Sequence, residues 1–186
     1  MEIQKWAEEQ ATSLLSSLGN RWLHVQGVVE QAKWVSAIFN EEEDKNLLIA
    51  AAYLHDIGYA PSLQKTGFHP IDGACYLRSC NQYRLASLVA YHSESTFEAE
   101  LRGILPELKK IPREHSLIAD ALTYCDMTTN GDGKQVSFQE RLDDIFSRYD
   151  PNHIVYKAIK AAAPALTLGV RHTEQALYQK GLISKT

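Results

Sequence analysis

Leu47-Leu48-Ile49-Ala50-Ala51-Ala52-Tyr53-Leu54-His55-Asp56-Ile57-Gly58 is the stretch on which the fold of this chain turns. The first eight of these residues carry no charge and read as a buried helix, and the helix ends on an imidazole beside a carboxylate. An imidazole nitrogen suits a borderline divalent metal, while the two oxygens of Asp56 can bridge a pair of metals or polarise a bound water. Burying both groups unpaired would be costly. The dipeptide therefore reads as part of a metal site.

On either side of this run helical periodicity recurs and strand alternation does not. Ile3, Ala7, Ala11, Leu14, Leu15 and Leu18 mark one helical face that stops at Gly19-Asn20. The pattern predicts a second helix from about Trp22 to Phe39, with Val25, Val28, Val29, Ala32 and Val35 buried. After His55, the residues Gly58, Pro61, Ser62 and Gly67 indicate a loop, and His69-Pro70 starts a helix through Leu77. Another helix runs through Tyr91. A short one is predicted over Glu98 to Leu108, interrupted at Pro106, and a longer one over Glu114 to Asp126. Ser137-Phe138-Gln139-Glu140 has capping-box form and opens a helix to Tyr149. Asp150-Pro151 caps the next, and Ala161 to Leu177 is the last helical material, broken or kinked at Pro164. The fold class is all-α, a single compact helical bundle over residues 1–186, without repeats, low-complexity linkers or a clear domain boundary.

Composition narrows the function classes. A chain of 186 residues with 45% hydrophobic content can bury a sizeable core. Charged residues make up 23% and the net charge is −4, a balance that argues against a binder of nucleic-acid duplexes. Cys75, Cys80 and Cys125 are odd in number, fall in helical segments and lack zinc-finger spacing, so they are expected to be reduced thiols. No apolar signal core opens the sequence and no run reaches the ~18 apolar residues of a membrane span. The expectation is a cytoplasmic protein with no membrane partner; the oligomeric state is open.

Three separated elements, Arg21-Trp22-Leu23-His24, His55-Asp56-Ile57-Gly58 and Tyr124-Cys125-Asp126, together resemble the H…HD…D signature of the HD-domain superfamily of metal-dependent phosphohydrolases. The resemblance covers roughly Arg21 to Tyr149 and implies a single HD domain with flanking N- and C-terminal helices. His69 in His69-Pro70-Ile71-Asp72-Gly73-Ala74 and His92 in Ala90-Tyr91-His92-Ser93 stand where dinuclear members place extra ligands. The implied metal ligands are thus His24, His55, Asp56, His69, His92 and Asp126, with His55 and Asp56 at the catalytic centre. Asp120, in a local context similar to that of Asp126, stays an alternative for the last position.

Taken singly, each candidate has a plainer reading. His24 could be a core histidine bonded to a carbonyl, His55 a favourable charge at a helix C-terminus, His69 a helix start and His92 a helix end. One dinuclear site accounts for all of them at once. His115, His153 and His172 lack such a context and read as surface or structural. The run Asn130-Gly131-Asp132-Gly133-Lys134 imitates a calcium loop. Aligning Gly133 with the obligatory sixth-position glycine puts Thr128 first and Gln139 twelfth, where the loop needs an acidic residue and a bidentate Glu. A tight turn between helices is the better reading.

Four imidazoles with two carboxylates are too nitrogen-rich to favour magnesium and suit iron, manganese, cobalt, nickel or zinc. The resemblance implies two such divalent transition metals, bridged by Asp56 and a hydroxide that attacks phosphorus. An in-line attack also needs a cation near the leaving side, for which Arg21, Lys65, Lys134 and Arg141 are the candidates. Several phosphodiesterase and nucleotidase subgroups of the superfamily carry lysine after the HD-x-x tetrad, where this chain has Tyr59. The implied activity is hydrolysis of a phosphate ester or anhydride of a small metabolite, a nucleotide or dinucleoside polyphosphate, because the six-ligand set is similar to that of HD-type dinucleoside tetraphosphatases. A di-iron oxygenase and a non-catalytic HD binding module are the alternatives.

Overall fold

The apolar run before His55 forms most of helix α3 (Glu42–Leu54), and every residue from Leu47 to Leu54 is buried. In the computed structural model, which describes residues 2–184, α3 is the axis of an all-α bundle. Glu42, Glu43 and Asp44 place negative charge at its N-terminal turn, where the helix dipole favours it. Helix α1 (Glu2–Leu15) packs along it through Leu15 and through Ala7 and Ala11, small residues that let the two backbones approach. Helix α2 (Asn20–Val35) covers another side with Val25, Val28, Val29, Ala32 and Val35. Each fully buried aliphatic side chain of this interior, such as Leu48, Leu54 or Ile57, contributes roughly 1.5–3 kcal/mol.

Helices α4 (His69–Ser79) and α5 (Tyr83–Tyr91) form a hairpin against this unit. Asn81, with φ of 59°, closes α4, and the amides of Gln82 and Asn81 bond back to the carbonyls of Leu77 and Arg78. Then come α6 (Thr96–Leu101), α7 (Leu105–Leu108), α8 (Leu117–Met127), α9 (Phe138–Arg148) and α10 (Ile154–Gln179). Helix α8 inserts beside α2 and α3, and α10 lies over α8, α6 and α9. Met127, Leu142, Ile145, Ala162 and Leu166 make a second, smaller core beneath α9 and α10.

Two expectations are corrected. The break between α6 and α7 falls at Gly103, not Pro106. Gly103 takes φ of 72°, and the amides of Ile104 and Gly103 bond to the carbonyls of Ala99 and Glu100, a left-handed helix end that glycine favours. Pro106 sits in the first turn of α7, where its missing N–H costs nothing. The last helix is neither broken at Pro164 nor limited to residues 161–177, and it is capped by His153 rather than by Asp150-Pro151. Burial of Ala158, Ala162, Leu166 and Val170 on both sides of the proline outweighs its local penalty.

The segment joining α8 to α9 is the expected tight turn. Asn130 Oδ1 accepts from the amides of Asp132 and Lys134, and an isolated bridge pairs Thr129 with Gln135, the one β-type pairing among the described residues. Ser137 and Glu140 form the anticipated capping box at α9. The three thiols are free, and no helix among the described residues is long and apolar enough to cross a membrane.

Candidate metal centre

Five helices deliver side chains to one point beside the end of α3. His24 comes from α2, His55 and Asp56 from the end of α3, His69 from the first residue of α4, His92 from the turn after α5, and Asp126 from α8. Two glycines make these approaches possible. A Cβ on Gly58 would stand 2.0 Å from the carbonyl oxygen of His69, so its absence lets α4 start against the turn that follows Asp56. A Cβ on Gly27 would stand 2.3 Å from the carbonyl oxygen of Gly133, so its absence lets the 130–134 turn dock on α2. That docking carries the Asn130 carbonyl to within 3.0 Å of His24 Nδ1.

The side chains fall into two groups, His24, His55 and Asp126 in one and Asp56, His69 and His92 in the other. Asp56 faces both. Its Oδ2 lies 3.3 Å from His55 Nε2 and 4.0 Å from His24 Nε2. Its Oδ1 lies 3.3 Å from His69 Nε2 and 3.9 Å from His92 Nε2. His69 and His92 meet Nε2 to Nε2 at 3.3 Å, and His24 Nε2 lies 3.0 Å from Asp126 Oδ1. The other Asp126 oxygen accepts from Ser93, a residue held at φ of 48° in the turn after α5.

The hydrogen bonds fix which nitrogens are free. His24, His55 and His92 each present Nδ1 to a backbone carbonyl, of Asn130, Ala52 and Val89 at 3.0, 2.7 and 2.6 Å. A carbonyl only accepts, so Nδ1 carries the proton and Nε2 turns a lone pair inward. His55 Nε2 is buried without any hydrogen-bond partner. Lone pairs of these imidazoles and of the carboxylates thus converge on a buried point, an arrangement that favours positive charge at its centre. The donor set fits divalent metal ions.

The electrostatics carry the same sense. Burial would raise the Asp56 carboxyl, but Arg21 and then His55 hold it well below the usual carboxylate range. Burial opposes ionisation of Asp126 as well, and His24, His55 and Arg141 overcome it, so this carboxyl is also pushed down. Burial drives His69 and His92 downward, keeping both neutral. His55, desolvated yet beside Asp56 and Asp126, is shifted up. A proton and a metal would compete for the same nitrogen there.

A cavity of about 470 Å³ opens onto the cluster. Arg21 and Arg141 line it: Arg21 Nη1 bonds Asp56 Oδ2 at 2.5 Å, and Arg141 Nη2 lies 3.9 Å from Asp126 Oδ1. Lys65 and Lys134 do not line it; both are exposed, Lys134 at the end of the turn organised by Asn130. Arg102 and Arg148 line it instead, and neither is among the expected substrate cations. His153, read as surface or structural, caps α10 with Nδ1 and borders the same cavity. Tyr59 is sandwiched between the Arg21 guanidinium, 4.0 Å from its centroid, and the His69 ring, stacked at 4.0 Å. Asp120 points elsewhere, accepting at 2.9 Å from His172 Nδ1 beside a second cavity that His115 also lines. Asn130 and Ser93 were missed; only their neighbourhood to the turn glycines and to His92 could have marked them.

Histidines and aspartates converging in two groups give this helical protein a candidate metal centre. The HD-domain family model matches residues 21–128, more than half of the chain, and the protein belongs to that family. Most of its members are metal-dependent hydrolases and some are non-catalytic. The match ends at residue 128, short of Tyr149, so α9 and α10 lie beyond it. No curated protein and no solved structure matches the chain.

Proposed function

We propose that this protein is a metal-dependent phosphohydrolase that cleaves a phosphate ester or anhydride of a small metabolite, a nucleotide or dinucleoside polyphosphate. One observation carries the reading: the two oxygens of Asp56 are divided between two groups of imidazole Nε2 atoms. His24, His55 and Asp126 would hold one divalent metal and His69 and His92 a second, with Asp56 between them. Bound there, such metals supply Lewis acidity and an acidified water, the chemistry that phosphoryl transfer to water needs.

The chain's own residues do the rest. Backbone carbonyls at Ala52, Val89 and Asn130 hold three rings in the one tautomer that offers Nε2. Arg21 and Arg141 flank the two carboxylates and are placed to neutralise charge on phosphoryl oxygens. Arginine suits that task because its planar fork bonds two oxygens at once. A non-catalytic binding module would not need a full set of ligands. The free thiols of Cys75, Cys80 and Cys125 suit a reducing, cytoplasmic setting.

The test is a screen of phosphate esters and anhydrides with protein loaded with manganese, cobalt or zinc, in heavy-oxygen water and without dioxygen. The proposal expects hydrolysis with the label in the released phosphate. Absence of any hydrolysis, together with dioxygen consumption on an organic substrate, would replace it with the di-iron oxygenase.

A further inference from the structure

Residues 138–179 lie beyond the family match, yet α9 and α10 build one flank of the cavity over the His/Asp cluster. We infer that this flank selects the substrate: Arg148 grips a second phosphoryl group joined to the one at the cluster, and Ile145, Val155 and Ile159 seat a flat apolar body attached to it. The inference rests on the phosphohydrolase reading and narrows its substrate to a phosphoanhydride on an aromatic group, of which a nucleoside diphosphate is the simplest example.

Arg141 and Arg148 stand seven residues apart on α9, about two turns, and so share one face. Both bond the same atom, Asp144 Oδ2, at 3.1 and 2.8 Å. Asp144 thus tethers both guanidinium groups where they line the cavity, within reach of an anion bound there. Arg141 is the inner member. Its side chain is 9% exposed, and its Nε is buried with no acceptor in the protein. Its terminal nitrogens lie beside Asp126 where Arg141 lines the cavity, placed to meet a phosphoryl oxygen at the cluster. Arg148 is the outer member, near the turn at Gly131 and the cavity mouth. The pair makes a short track of positive charge leading away from the cluster, suited to two joined phosphoryl groups.

Beyond the track the lining changes character. Ile145 lies on α9 between the two arginines, and Val155 and Ile159 face it from α10. Tyr149 and His153 stack on each other with centroids 4.6 Å apart, closing this end with flat surfaces. An apolar, partly aromatic chamber next to cationic groups matches an aromatic ring system carrying a diphosphate. In the reaction, water oxygen bonds the terminal phosphorus as the anhydride P–O bond breaks. The inner phosphate leaves with the bonding pair, its new charge facing Arg148, and the water protons pass to solvent.

Calorimetric binding to the full chain tests this, with α,β-methylene ADP, AMP and methylenediphosphonate as probes and ADP and AMP hydrolysis as a parallel readout. The wild type should bind α,β-methylene ADP more tightly than AMP. Arg148→Ala should lower that ratio about tenfold, the worth of one charge-assisted hydrogen-bond pair, and Arg148→Lys should lower it less. Ile159→Asp should weaken α,β-methylene ADP relative to methylenediphosphonate, which has no apolar body. No preference in the wild type, or a ratio untouched by Arg148→Ala, overturns the inference even if phosphate esters are hydrolysed. If nothing is hydrolysed but the ratio shifts as stated, the selective flank stands and the hydrolase reading fails.

Discussion

Asp126 and Asp120 stand six residues apart on α8, about 120° around the helix axis, so the two carboxylates point to different faces. Asp126 meets His24 and Ser93, while Asp120 pairs with His172 at the edge of another cavity. Asp126→Asn should therefore lower the metal content of the purified protein far more than Asp120→Asn, by elemental analysis of both variants; the reverse order would reassign the ligand to Asp120. At this scale the sequence was legible where a side chain carries its own chemistry, as in the His55-Asp56 pair with its histidine companions. It was not legible where a residue acts through its backbone. Asn130 orients His24 with a carbonyl, and Ser93 reaches Asp126 only because its φ of 48° turns it inward. Nor does a sequence say which cation shares a cavity. Lys134 was as eligible as Arg148 until the turn at Asn130 and helix α9 had placed them.

Between elements, the approach of α4 to the end of α3 rests on one missing methyl group. Gly58→Ala would press a Cβ into the His69 carbonyl, backbone that cannot swing aside. The expected cost is roughly 1–3 kcal/mol of stability. For a chain of this size that lowers the melting temperature by about 2–4 °C per kcal/mol. The same shift carries His69 away from Asp56, so thermal melts and metal titration of the variant should fall together. An unchanged melting temperature with unchanged metal affinity would refute this account of Gly58. Most helices could be read from apolar periodicity and capping, including the Ser137–Glu140 box. The misplaced ends share a cause: Pro106 and Pro164 drew attention as breakers, yet one occupies a first turn and the other is overridden by packing on both sides. Gly103, which ends α6 through its positive φ, carries no periodic signal.

Across the whole molecule, α3 forms a buried axis whose end is surrounded by α2, α4, α5 and α8, and the six histidines and aspartates meet there although 102 residues separate His24 from Asp126. The all-α class followed from periodicity; the convergence depends on helix-to-helix packing that one sequence does not spell out. The extension past residue 128 completes the cavity, so the family core and the chain's own C-terminal helices divide the site between them. Asp56 joins the two groups of imidazoles, and elemental analysis of wild type and Asp56→Ala, purified without added metal and compared by circular dichroism, measures that role directly. Two divalent transition-metal ions per wild-type chain and a severe loss in Asp56→Ala, with helical content retained, are expected because the substitution removes the shared carboxylate and little of the apolar packing. Full metal occupancy in Asp56→Ala, or a wild-type chain that binds no transition metal, would contradict it.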